Sequence, residues 1–193
     1  MSAPDPLDVL DWRRRTAEIY RRVRAAGDVE AAHVEWAEAR TRLAATHPAA
    51  ADPAARLRHA RYDPALRFEV PLLPAPPSRI EIATGTDGVV GFERAGRVEL
   101  AGLGSLDVWW LASYGGGVWV PVRDSGAETY GGGRYVLDTV KGADLGGDAS
   151  ALVVDLNFAY NPSCAYDEAW ACPLAPPGNV LSAELSVGEL TPR

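Results

Sequence analysis

The spacing of apolar positions along this chain changes once, near residue 66. Before that point Trp12, Ile19 and Val23 recur near helical spacing with Tyr20 beside them, which predicts a helix over residues 6–26. Gly27 is a natural stop, and Asp28 can cap a following helix. Val29, Ala32, Trp36 and Leu43 repeat the pattern over 29–45, and so short a turn predicts an antiparallel helical hairpin. Residues 46–65 hold three prolines and no clean period, so they read as a connector with room for one short helical turn. Beyond Leu66, short β-branched and aromatic runs alternate with Gly and Pro clusters, the punctuation of strands. Strands are expected at RFEVPLL, SRIEIAT, GVVGFER, GRVELAG, LDVWWLAS, GVWVPVRD, RYVLDTV, ALVVDLN and VLSAELSV. Turns are expected at Thr86-Asp87-Gly88, at Ala95-Gly96 as a two-residue hairpin connection, and from Tyr114 to Gly117.

Many short strands at hairpin spacing argue against βαβ units. The fold class is therefore α+β: an N-terminal helical hairpin followed by a mainly antiparallel β-barrel or sandwich. The domain reading is a hairpin at 1–47, a connector at 48–65 and a β-rich body at 66–193. Within the body, residues 157–179 break the strand rhythm with four prolines, two cysteines and four aromatics. Long structured loops of this kind are often functional.

Composition narrows the partners. Hydrophobic residues at 47% and charged residues at 23% suit a folded chain with a sizeable core. The N-terminus lacks an apolar signal core, and no apolar run approaches a membrane span, so the expectation is a cytoplasmic protein without a membrane partner. The net charge of −7 is uneven. Residues 1–62 carry 11 arginines against 9 acids, whereas residues 63–193 carry 8 basic groups against 17 acids. An acidic body argues against nucleic acid, whose phosphates need basic neutralisation. Six arginines from Arg13 to Arg24 are interleaved with Glu18, which reads as a solvated helix face that can also pack on the acidic body or a partner copy.

Three separated segments, TYGGGRY at 129–135, DLNFAYNPSCAY at 155–166 and CPLAPPGN at 172–179, resemble the signature of a bacterial family known as domain of unknown function 1684. YDPALRFEV at 62–70 is similar to the way that domain opens, and the likeness spans about residues 60–190. The resemblance implies a shared fold, with the hairpin standing where longer relatives carry an extra β-rich region. Leu156 and Phe158 stand where Phe and Arg are usual in the family, and Gly178 where Glu is usual. The family name implies no activity.

Candidate chemistry gathers around these segments. Cys164 and Cys172, the only cysteines, leave four readings open: buried thiols, a loop-closing disulfide, a catalytic or redox thiolate, or half of a metal site. The paired ligand spacings of zinc are absent, so no metal or cofactor is expected. The histidines His33, His47 and His59 all precede the β body. Asp155, Asn157, Tyr160 and Asn161 form a polar group at a strand end, suited to a small polar ligand or to tying down the loop. Arg134 follows the YGGG turn and suits a carboxylate or phosphate, or an ion pair with Asp124, Glu128 or Asp155. GxxxxGK[ST] and GxGxxG are absent. Adjacent Trp109 and Trp110 must face opposite sides of a strand, one toward the core and the other toward a cleft or a homodimer interface. Trp119 and Trp170 add further aromatic surface, and the adjacent acids Asp167-Glu168 show no paired-carboxylate logic.

The function expected from these residues is a small-molecule-binding β domain. Its pocket would lie between YGGGRY and AYNPSCAY, lined by Arg134, Asn157, Tyr160 and Asn161. One alternative is a small hydrolase-like or redox enzyme using Cys164, Tyr160, Asp155 or Arg134. The other is a structural or interaction protein whose loop is a staple. Full burial with every polar atom bonded would favour the staple.

Overall fold

The computed structural model describes residues 5–84, 88–167 and 170–192. Thr86, Asp87 and Glu168 lie outside the described residues, and with them the turn expected at 86–88 and the acidic pair. Helix α1 (Pro6–Ala25) starts where the Asp5 carboxylate accepts from the Leu7 amide at 2.8 Å, with Pro6 pre-set for the first turn. Its buried stripe is Thr16, Ile19, Tyr20 and Val23. Helix α2 (Val29–Thr46) starts on Asp28, whose carboxylate accepts from the Ala31 amide at 3.0 Å. It buries Ala32, His33, Trp36 and Leu43, and the two helices form the expected hairpin.

The connector carries a short strand, β1 (Arg58–His59), which the absence of period had hidden; it pairs with β9 (Glu189–Leu190) near the C-terminus. Strands β2 (Arg67–Pro71) and β8 (Ala151–Asp155) form a second antiparallel ladder with Arg67 opposite Asp155. The remaining five strands run as an antiparallel meander: β3 (Arg79–Ala83), β4 (Val89–Leu100), β5 (Gly104–Leu111), β6 (Val118–Val122) and β7 (Arg134–Asp138). Isolated bridges, Leu73 to Arg97 and Tyr135 to Tyr160, tie the smaller ladder to the large sheet. Among the described residues the sheets do not close into one continuous ladder, so the architecture matches a barrel or sandwich only loosely.

Two sequence expectations need correction. Ala95-Gly96 is not a turn: β4 runs through it with a bulge, and the chain reverses at Ala101–Leu103 instead. The glycine serves close approach, because a Cβ at Gly96 would sit 2.6 Å from the Leu73 carbonyl oxygen and 2.8 Å from Leu72. VLSAELSV is not a strand either. Val180 makes one bridge to Arg123, and the carbonyls of Leu185 and Val187 accept from the Arg134 guanidinium instead of a neighbouring strand. Its apolar residues still reach the core, with Leu181, Leu185 and Val187 buried.

Helices and sheets share one hydrophobic cluster. Trp36 packs edge-on against Phe158 at 5.3 Å and against His59 at 5.1 Å, which seats the hairpin on the body beside the β8 exit. Trp109 is 1% exposed and Trp110 44% exposed, so the adjacent pair does face opposite sides of β5. No helix among the described residues is long and apolar enough to cross a membrane.

Candidate functional site

The polar residues of the long loop are turned inward. Arg134, at the start of β7, is fully buried and pairs with Asp124 at 2.9 Å. It also donates to the carbonyls of Val187, Glu189 and Leu185. Of the carboxylates proposed for it, Asp124 is the partner, and Glu128 pairs with Arg58. Asn157 is buried and donates to the Asp155 carboxylate at 2.7 Å and the Asp63 carbonyl at 2.9 Å, while accepting from the Asp63 amide at 2.7 Å. Asn161 donates its side-chain amide to the Leu190 carbonyl at 2.8 Å, and its backbone N–H to the buried Glu189 carboxylate at 2.6 Å. Tyr160 donates to Asp138 at 3.4 Å and lies under the Arg40 guanidinium, 4.4 Å from the ring centroid. These four side chains are thus engaged inside the chain rather than around an open space. Burial lifts the Tyr160 hydroxyl well above its usual titration range.

The histidines sit at the junction of hairpin and body. His33 Nε2 donates to the Asn157 carbonyl at 3.0 Å, and burial pulls its pKa down. His59 Nε2 lies 3.9 Å from Glu189, and burial pulls this imidazole down to about 4. His47 pairs with Asp11 at 3.1 Å. On the basic face of α1, Arg15 pairs with Asp11, and Arg21 and Arg22 with Glu18. Arg24 reaches across to the body and donates to the Asp144 carbonyl.

A half-open cleft of about 340 Å³ lies where the hairpin meets the β2–β8 ladder. Val29, Val153 and Phe158 are among its apolar lining, and Arg24, Arg67 and Asp155 are its charged lining. The cross-strand register of β2 and β8 creates this meeting, with Arg67 Nε 3.8 Å from the Asp155 carboxylate. Asp155 is 1% exposed and accepts from Tyr62 at 3.1 Å and from the Asn157 amide at 3.0 Å. Burial raises its pKa against those hydrogen bonds. Asp155 was among the residues singled out from sequence. Arg67 was not, and its signal was the pairing of two strand candidates across the chain.

The thiols meet elsewhere. Cys164 sits in the short helical turn Ser163–Ala165, and its backbone N–H donates to Cys172 Sγ at 3.3 Å. Tyr130 donates its hydroxyl to Cys164 Sγ at 3.7 Å. Tyr130, Cys164 and Cys172 each come from a different one of the three signature segments. Sequence reasoning passed over Tyr130, although the motif TYGGGRY contains it. Both cysteines are free and half-buried. Among the described residues no group of three or more His, Cys, Asp and Glu is placed to hold a metal ion.

Comparison with other proteins reinforces the fold. The sequence profile of the family described as "Protein of unknown function (DUF1684)" matches residues 55–190. The solution NMR structure of the uncharacterized protein from gene locus rrnAC0354 of Haloarcula marismortui is similar, with a TM-score of 0.51 and 28% sequence identity over 70% of this chain and 76% of that one. No curated protein matches the chain.

Proposed function

The chain belongs to the DUF1684 family, and from its own geometry we propose that it is a small-molecule-binding domain whose site is the cleft between the helical hairpin and the β2–β8 ladder. The observation that carries this reading is the convergence of Arg67, Arg24 and the buried Asp155 on one half-open cleft with apolar lining. A concave site with an apolar floor, a few convergent polar groups and a perturbed carboxyl is the usual form of a ligand pocket. The ligand class follows from the lining. Two guanidinium groups suit a carboxylate or phosphate head, and each retains donors beyond those used inside the chain. Asp155 holds the Arg67 guanidinium at the cleft, and Val29, Val153 and Phe158 cover a short apolar body. We place the pocket here rather than between YGGGRY and AYNPSCAY, because Arg134 and Asn161 are engaged inside the chain.

Calorimetry with short-chain carboxylates and organic phosphates tests the reading. One saturable site is expected, weakened at least about tenfold by Arg67→Ala, the loss of one charge-assisted contact of roughly 1.5–3 kcal/mol. Filling the cleft with Ala26→Leu should weaken the same ligand. No saturable binding of any such anion by folded protein would end the proposal.

A further inference from the structure

A second site stands apart from the cleft and owes nothing to it. Cys164 and Cys172 are held together by the fold, with the Cys164 N–H donating to Cys172 Sγ at 3.3 Å. The segment leading to Cys164 is tied to β7 by the reciprocal backbone bonds of Tyr135 and Tyr160, at 2.8 and 2.9 Å. The segment leaving Cys172 is tied to the same residue, because the Tyr135 hydroxyl donates to the Pro173 carbonyl at 2.5 Å. Pro162 and Pro173 flank the two cysteines and stiffen both approaches. One strand residue thus anchors both sulfur-bearing segments.

We propose that Cys164 and Cys172 form a hydroperoxide-reactive dithiol, in which Cys164 is the attacking sulfur, Cys172 the resolving one, and Tyr130 the donor that steadies the attack. Three observations assign these roles. The Cys164 sulfur accepts from the Tyr130 hydroxyl at 3.7 Å and lies beside Cys172, whose sulfur accepts from the Cys164 N–H at 3.3 Å, and these neighbours hold its pKa below the usual thiol range. Cys172, beside that sulfur and more deeply placed, is pushed up and stays protonated. Half-burial admits a small oxidant, whereas a folded protein disulfide needs a more open sulfur.

The chemistry balances. The Cys164 thiolate attacks one peroxide oxygen, an S–O bond forms and the O–O bond breaks. The departing alkoxide or hydroxide takes a proton from water and leaves as alcohol or water, and Cys164 becomes a sulfenic acid. Donors beside the sulfur favour the charge developing on the leaving oxygen. Cys172 then loses its proton to solvent and attacks the Cys164 sulfur. The S–S bond forms, the S–O bond breaks, and the hydroxide leaves as water after taking up a proton. In sum two thiols are oxidised and one peroxide is reduced. An external dithiol returns the pair to the reduced state by two exchange steps.

The test uses the reduced 193-residue chain, hydrogen peroxide and intact mass. Wild type should lose two hydrogens. Cys172→Ser should instead gain one oxygen that dimedone traps, and Cys164→Ser should not react. Iodoacetamide at pH 7 should label Cys164 roughly tenfold faster than Cys172, as expected of an ionised against a protonated thiol. The labelling rate should be half-maximal below the pKa of an ordinary thiol, and Tyr130→Phe should move that midpoint upward. Should either serine variant fail to fold by circular dichroism, the wild-type mass shift and the Tyr130→Phe midpoint decide alone. Peroxide that leaves both thiols free, or equal oxidation of the two serine variants, overturns the proposal.

Discussion

At the scale of single residues, the most informative side chain is Arg134. Its guanidinium satisfies Asp124 and three backbone carbonyls in a place with no access to water. Arg134→Met would strand a carboxylate that is 2% exposed, and the expected loss is about 3–5 kcal/mol of unfolding free energy. Arg134→Lys should recover only part of it, because one ammonium cannot span the carboxylate and three separate carbonyls. Urea unfolding of both variants measures the difference, and a loss below about 1 kcal/mol in the methionine variant would contradict the staple role. Gly178 gives a second residue-scale prediction. A Cβ there would collide with the Asp107 carboxylate, which is fixed by Arg97 at 2.7 Å and Arg94 at 3.0 Å and has little room to give. Gly178→Ala should therefore destabilise by about 1–3 kcal/mol through overpacking. Asp124 was among the carboxylates the sequence offered to Arg134, but its other partners and those of Gly178 were not readable. Arg134 was legible as a polar residue beside a glycine turn, but backbone carbonyls carry no sequence signal. The Asp107 contact joins residues far apart in the chain.

At the scale of elements, legibility tracked the source of the pattern. The helices and most strands were visible because one face of each is buried, which imposes a period. Ala95-Gly96 misled because glycine serves both turns and close backbone approach, and only the position of Leu73 distinguishes them. The segment 180–187 misled because its side chains alternate like a strand's while its carbonyls are taken by Arg134. β1 went unseen because two residues are too few to show a period. The docking of α2 against β1 and β8 carries a pH prediction. His59, neutral and buried, has a folded pKa of about 4, well under its unfolded value of about 6.5. His33 is shifted in the same direction. Below pH 6.5 the unfolded chain takes up protons that the folded chain refuses, so stability is full above 6.5 and is lost as pH falls toward 4. The slope approaches roughly 1.4 kcal/mol per pH unit for one such histidine. Asp155 acts with the opposite sign, because its raised pKa lets the folded state bind a proton first, and it offsets part of the loss at the acid end. Urea midpoints between pH 7.5 and 4.5 should fall, and His59→Gln should flatten the curve. An unchanged slope in that variant would remove His59 as the cause.

At the scale of the whole molecule, the family match begins at residue 55, after both helices, yet the hairpin is built into the core of this chain. Trp36 and Tyr20 are each 1% exposed, and Ile19, Val23 and Leu43 lie in the same cluster as the sheet residues. Arg40 of α2 supplies the counter-charge to the buried Glu189 at 3.1 Å, from the far end of the chain. That arrangement was half-visible in the sequence: an arginine-rich head before an acidic body suggested contact, but the bond that matters is one buried pair rather than the exposed charges. Truncating Trp36 alone should cost about 3–5 kcal/mol. Arg40→Met should cost a similar amount by leaving Glu189 unpaired in the interior. Each is a large share of the roughly 5–15 kcal/mol that a domain of ordinary stability holds. A chain beginning after the hairpin would lose both at once, expose the face around Phe158 and His59, and remove one wall of the cleft. It is expected to melt far below the parent and to bind an apolar dye such as ANS. A truncated chain with the parent's melting temperature would mean that the body is self-sufficient, that the hairpin is an accessory to it, and that the cleft is a gap between two independent units.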